Sequence, residues 1–99
     1  MATVITIDWN DEDPKRGEPY PNPAPVEKQS CLIFVNKLDV DITINGESGL
    51  FKGNAAVLVA KDGGINAVQV TGAVGAGKQY SFDDGTGDLV PRQGTIDIS

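Results

Sequence analysis

The chain closes on Lys78-Gln-Tyr-Ser-Phe-Asp-Asp-Gly-Thr-Gly-Asp-Leu-Val-Pro-Arg-Gln-Gly-Thr-Ile-Asp-Ile-Ser99, which reads as strand, loop, strand. Tyr80 and Phe82 share one face of the first strand; Ile96 and Ile98 share one face of the last. Successive side chains of a strand point to opposite faces, so this alternation marks two half-buried strands. An acidic, glycine-rich turn from Asp83 to Asp88 joins them and runs into Leu89-Val-Pro-Arg92. That last string looks like a protease recognition tag, but Gln93 and a good strand follow it, so it reads as native sequence.

The same period of two recurs upstream. Thr3 to Trp9 sets Ile5, Ile7 and Trp9 on one face. Ser30 to Asn36 is apolar on both faces, which predicts a central strand covered on both sides. Leu38 to Ile44 alternates strictly, with Asp39 and Asp41 on the wet face, and Asn45-Gly46 then supplies a turn signal. Ala55 to Ala60 and Ile65 to Val70 are further apolar runs, separated by the turn residues Asp62-Gly63-Gly64. No segment carries a long amphipathic helix; the best candidate is a weak turn near Ser48 to Asn54. About seven short strands with turn signals between them predict an antiparallel β-sandwich.

Residues 10–29 interrupt the pattern. They hold Pro14, Pro19, Pro21, Pro23 and Pro25 and many charges. Prolines lack the N–H that a central strand must donate, so a Pro-rich charged loop is expected here, partly in polyproline II. A strap over a sheet edge is preferred to a partner-binding loop.

The 99 residues make one domain, 1–99, large enough for a core without metal or disulfide. A hydrophobic fraction of 39% and a charged fraction of 22% are those of a folded domain. The net charge of −6 argues against nucleic acid and anionic membrane surfaces, both of which need clustered Lys and Arg. No apolar run reaches the length of a membrane span. If Met1 is the native start the protein is expected in the cytoplasm; otherwise it is an exported protein whose leader was removed. The single cysteine, Cys31, lies in an apolar run and is expected to be buried.

Two motifs imitate known sites. Gly72-Ala-Val-Gly-Ala-Gly-Lys78 satisfies part of a phosphate-binding loop, but Gln79 stands where a hydroxyl should hold magnesium, and a strand follows instead of a helix. A flexible hairpin segment is the better reading. Asp8 to Asp13 begins like a calcium loop, yet Asp13 replaces the needed glycine and Pro19 the bidentate glutamate. The better calcium candidate is the turn carrying Asp83, Asp84 and Asp88, with three carboxylates within six residues. Without histidine there is no Ser-His-Asp or Cys-His arrangement and no ordinary zinc site. Paired carboxylates permit acid/base chemistry in principle, but nothing raises catalysis above chance.

The closing strand–loop–strand, together with Ile33-Phe-Val-Asn36, resembles the cupredoxin family of Greek-key β-sandwiches. The resemblance implies copper held by a cysteine, two histidines and a methionine, with the closing loop supplying most of them. Asp84 stands at the position of the family's cysteine, and no histidine follows Asn36. The resemblance therefore implies the scaffold without its copper. An immunoglobulin-like sandwich is the alternative. The expected function is a non-catalytic protein-interaction or assembly module, with Trp9, Tyr20 and Arg92 as candidate partner contacts. Self-association through a sheet edge is part of that expectation, because few charges protect residues 55–60 and 65–70. The alternatives are a calcium-binding β-sandwich and a small carbohydrate-acting domain using Trp9 or Tyr20 as a stacking platform.

Overall fold

Strand alternation becomes nine strands among the described residues: β1 (Thr3–Trp9), β2 (Gly17–Tyr20), β3 (Ala24–Val26), β4 (Cys31–Asn36), β5 (Ile42–Gly46), β6 (Val57–Val59), β7 (Gly64–Gln69), β8 (Gly75–Asp83) and β9 (Arg92–Ile98). The structure is a computed structural model that describes residues 2–10, 16–86 and 92–99. The strands form two sheets, one ordered β2-β1-β4-β7 and the other β3-β9-β8-β5-β6. Their inner faces pack as a sandwich around Ile5, Ile7, Leu32, Phe34, Ile44, Tyr80, Phe82 and Ile96, all at most 1% exposed. The Phe34 ring meets Tyr80 edge-on at 5.6 Å between centroids, the geometry an aromatic quadrupole prefers.

The β-sandwich expected from the alternation is the fold. Its pairing is mixed, however. Five strand pairs are antiparallel, while β1 runs parallel to β4 and β3 parallel to β9. Both parallel pairs join strands distant in sequence, which alternation alone cannot orient.

The expected loop at 10–29 contributes two of the nine strands. Pro19 lies in β2, opposite Ile7, and Pro25 in β3, opposite Asp97. Both strands are sheet edges, where a missing N–H is tolerated. The segment leaves one sheet and joins the other, so it closes that side of the sandwich. Asn22 ties it down, its Oδ1 accepting from the Thr95 N–H at 2.9 Å, and Thr3 Oγ1 donates to the Pro25 carbonyl at 2.6 Å.

Three local expectations change. Residues 38–41 bend and form no strand, although Leu38 is buried and Asp39 and Asp41 are exposed as the alternation requires. Asn45-Gly46 ends β5, and the reversal comes later, where Leu50 N–H donates to the Glu47 carbonyl at 3.0 Å. Cys31 is exposed. It leads β4 on the opposite face from buried Leu32, Phe34 and Asn36. The double cover expected for β4 is absent on that outer side, where Ile33 and Val35 are half-buried.

Candidate functional site

The strand register builds an apolar surface on the outside of the four-stranded sheet. Val4 lies beside Ile33, and Ile33 beside Ala67, giving one row across β1, β4 and β7. The next row runs Tyr20, Thr6, Val35, Ile65 across all four strands. Neither row contains a charged residue. Tyr20 is 78% exposed, Ile65 68% and Val4 48%. A row bearing Glu18 and Asp8 borders them on one side, and Cys31 with Gln69 on the other. Large contiguous apolar patches are the kind of surface that another molecule covers in many proteins, whereas scattered apolar residues need no explanation.

The outside of the five-stranded sheet differs. Its rows carry Thr43 beside Asp83, Asn45 beside Ser81 and then Gln93, and Asp97 beside Pro25. That face is mainly polar; its one exposed large apolar side chain among the described residues is Leu58 of β6, opposite Thr43 and 67% exposed.

At one end of the sandwich the acidic residues gather. Asp39, Asp41, Lys61, Asp84 and Thr86 line an open pocket of about 330 Å³. The carboxylates already serve the local backbone. Asp41 Oδ1 accepts from the Lys61 N–H at 2.9 Å, Asp83 Oδ1 from Gly85 N–H and Asp84 Oδ1 from Thr86 N–H, both at 3.0 Å. Asp88 lies outside the described residues. Among the described residues no three His, Cys, Asp or Glu side chains converge to hold a metal ion.

Of the candidate partner contacts, Tyr20 sits on the apolar face. Trp9 lies on the inner side of β1, half-buried against the core, so it shares no platform with Tyr20. Arg92 opens β9, paired with Phe82. Val4, Ile33, Val35, Ile65 and Ala67 were not singled out from the sequence. Ile33 and Val35 belong to the run apolar on both faces, which predicts burial; Ile65 and Ala67 fall in the weakly charged 65–70 strand expected to self-associate, and Val4 in a strand whose other face carries the core.

Asn36 organises the acidic end. It is the buried polar residue of the described core. Its Nδ2 donates to the carbonyls of Val40 at 2.9 Å and Val59 at 3.0 Å, and its Oδ1 accepts from Leu38 N–H at 2.9 Å. One side chain thereby joins β4, the 38–41 bend and β6.

No protein-family model matches the sequence. No curated protein matches it. Among solved structures it is similar to an oxidised methionine-to-lysine mutant of amicyanin, with a TM-score of 0.58 and 16% identity over 99% of this chain and 82% of that one. It is also similar to the reduced Cu(I) form, at pH 4, of a proline-to-glycine mutant of amicyanin, with a TM-score of 0.53 and 15% identity over 97% of this chain and 82% of that one. The fold is cupredoxin-like.

The residues present do not fit a blue-copper centre, which takes a thiolate and two imidazoles. The chain has no histidine. Its one thiol, Cys31, begins β4 on the outer face, while Asn36 and the acidic pocket lie at the other end of that strand, roughly 17 Å away at the rise of an extended chain. Asp84 occupies the turn where the resemblance places the metal thiolate, and its carboxylate caps that turn.

Proposed function

We propose that this cupredoxin-like sandwich is a non-catalytic protein-interaction or assembly module that docks through the outer face of its four-stranded sheet. The observation that carries the reading is the pair of charge-free rows across that face, with three large side chains largely in water. Covering apolar surface is worth roughly 25 cal/mol per Å², and on this face that gain comes mainly from Tyr20, Ile65 and Val4, the most exposed of its large apolar side chains. Tyr20 adds an aromatic anchor at the rim, a residue type enriched where binding energy concentrates.

The test compares the two faces. Val4→Ser with Ile65→Thr makes the apolar face polar; Ser81→Ala with Thr95→Ala alters two positions of the other face as the control. Proteins retained by the immobilised native chain are expected to be lost with the first double variant and kept with the second, at unchanged melting temperature. Equal retention by both variants would remove the reading.

A second reading places calcium at Asp83, Asp84 and Asp88, favoured by the pocket that Asp84 shares with Asp39 and Asp41. An ion bound by the native state alone must raise the melting temperature. No shift in millimolar calcium ends that reading.

A further inference from the structure

The four sheet edges are not equally defended. β2 carries Pro19 and Glu18, β3 is a three-residue strand with Pro25, and β6 has three residues. β7 is a six-residue edge strand, Gly64-Ile-Asn-Ala-Val-Gln69, with neither proline nor charge. It lies within the fifteen residues from Gly63 to Gly77 that hold no charged side chain, the longest such run in a chain of net charge −6. A long, uncharged, proline-free edge is the kind that pairs with another strand.

The hydrogen-bond phase shows which groups of β7 are available. Val70 N–H donates to the Ser30 carbonyl at 2.9 Å, so residue 70 faces the neighbouring strand. Strand alternation then turns Val68 and Asn66 toward β4, and the N–H and C=O of Ile65 and Ala67 away from it; Gln69 also turns away, but there an antiparallel bridge between Phe51 and Val70 covers the end of the edge. The middle donor of that outward row is held locally: Ala67 N–H donates to Asn66 Oδ1 at 2.8 Å. Asn66 Nδ2 in turn donates to the Leu58 carbonyl of β6 at 2.8 Å. One amide thus covers a donor on one sheet edge and an acceptor on the other.

We infer that the partner at this border of the apolar face is a second copy of the chain, its β7 added antiparallel to β7 about a two-fold axis at Ala67, with the Asn66 amide as the group that must swing aside. The inference rests on the reading of the outer face as a docking surface. In this register Ala67 faces its own twin and each Ala67 N–H finds the twin's carbonyl; the pairing stops short of Gln69, whose outward side lies beside the bridge from Phe51 to Val70. The two copies repel overall, but the seam itself is uncharged, which is what identical acidic chains need in order to approach. The apolar rows then continue across both copies. One strand pair buries less than the roughly 800 Å² per side of a stable complex, so the dimer is weak.

Sedimentation equilibrium from about 10 µM to about 1 mM tests this. The native chain is expected to dimerise across that range. Asn66→Ala frees the Ala67 donor and tightens the dimer roughly tenfold. Ala67→Lys and Ala67→Glu each place like charges face to face and give monomers, while an equal mixture of the two at low salt forms the heterodimer. A monomeric native chain and a monomeric Asn66→Ala variant at the top concentration overturn the inference. So does a dimer indifferent to charge at position 67. If that dimer is instead lost with Tyr20→Ser, at the far border of the face, the chain associates face-on, and the docking reading survives without strand pairing.

Discussion

The two sheets present opposite outer faces to water. The four-stranded sheet shows Val4, Ile33, Val35, Ile65 and Tyr20; the five-stranded sheet shows Thr43, Asn45, Ser81, Thr95 and Asp97. Both pack an apolar inner face into one core, the four-stranded sheet adding the buried Asn36, so burial within the core does not account for the difference outside. A strand covered on one side needs apolar residues at alternate positions only. β5 and β9 meet that minimum, while β4 exceeds it. The surplus apolarity on β4 and β7 lies outside the core and costs solubility, and the proposed docking rests on that contrast.

The comparison can be broken first from inside. Gly94 sits where an added Cβ would overlap the Tyr80 ring, held in turn by Phe34. Gly94→Ala is therefore expected to destabilise the five-stranded sheet by about 3 kcal/mol or more in urea unfolding. Gly17 offers the matched position in the other sheet, where a Cβ would meet a Phe82 ring atom at 3.0 Å and a Leu38 methyl at 3.3 Å. These side-chain neighbours can yield, and Gly17→Ala should cost about 1 kcal/mol. Equal losses would mean the two sheets are equally tolerant inside.

Within β4 the contrast is between adjacent residues. Asn36→Ala leaves the Val40 and Val59 carbonyls and the Leu38 N–H without their partner, at a cost of about 2–3 kcal/mol. Val35→Ser, on the outer face, is expected to change stability by about 0.5 kcal/mol or less. A large loss at Val35 in the isolated chain would assign the apolar face to folding and not to docking.

The last contrast concerns Tyr80. Its hydroxyl is buried, and among the described residues no hydrogen bond reaches it. Tyr80→Phe should therefore stabilise by about 1 kcal/mol. Burial pushes the hydroxyl's pKa upward. The folded chain keeps a proton that the unfolded chain releases, so stability is unaffected below the ordinary tyrosine pKa of about 10 and falls by about 1 kcal/mol per pH unit above it. Denaturation between about pH 9 and 12 should show this slope in the native chain and a reduced one in Tyr80→Phe.

Alternation made the inner core legible. Ile5, Ile7, Phe34, Tyr80, Phe82, Ile96 and Ile98 all point where a period of two sends them. Topology was less accessible, because β1 beside β4 and β3 beside β9 are parallel pairings between distant segments. The prolines of residues 17–26 argued against central strands and were compatible with the edge strands that form there. The apolar outer face was hidden for a different reason. A run such as Cys31-Leu-Ile-Phe-Val35 looks the same whether its second face is covered within the chain or by another molecule. Tyr20 was picked out as an exposed aromatic in a Pro-rich segment, while Val4, Val35 and Ile65 become a surface only when register places them side by side.

The claim that one outer face docks and the other does not is tested most directly by photo-crosslinking in the cells that make the protein. A photoreactive phenylalanine analogue is placed at position 65 on the apolar face and, separately, at position 95 on the polar one. Position 65 should yield discrete adducts of defined mass, with one at twice the mass of the chain if the partner is a second copy. Position 95 should yield none. Adducts of equal yield from both positions, or from position 95 alone, would contradict the assignment.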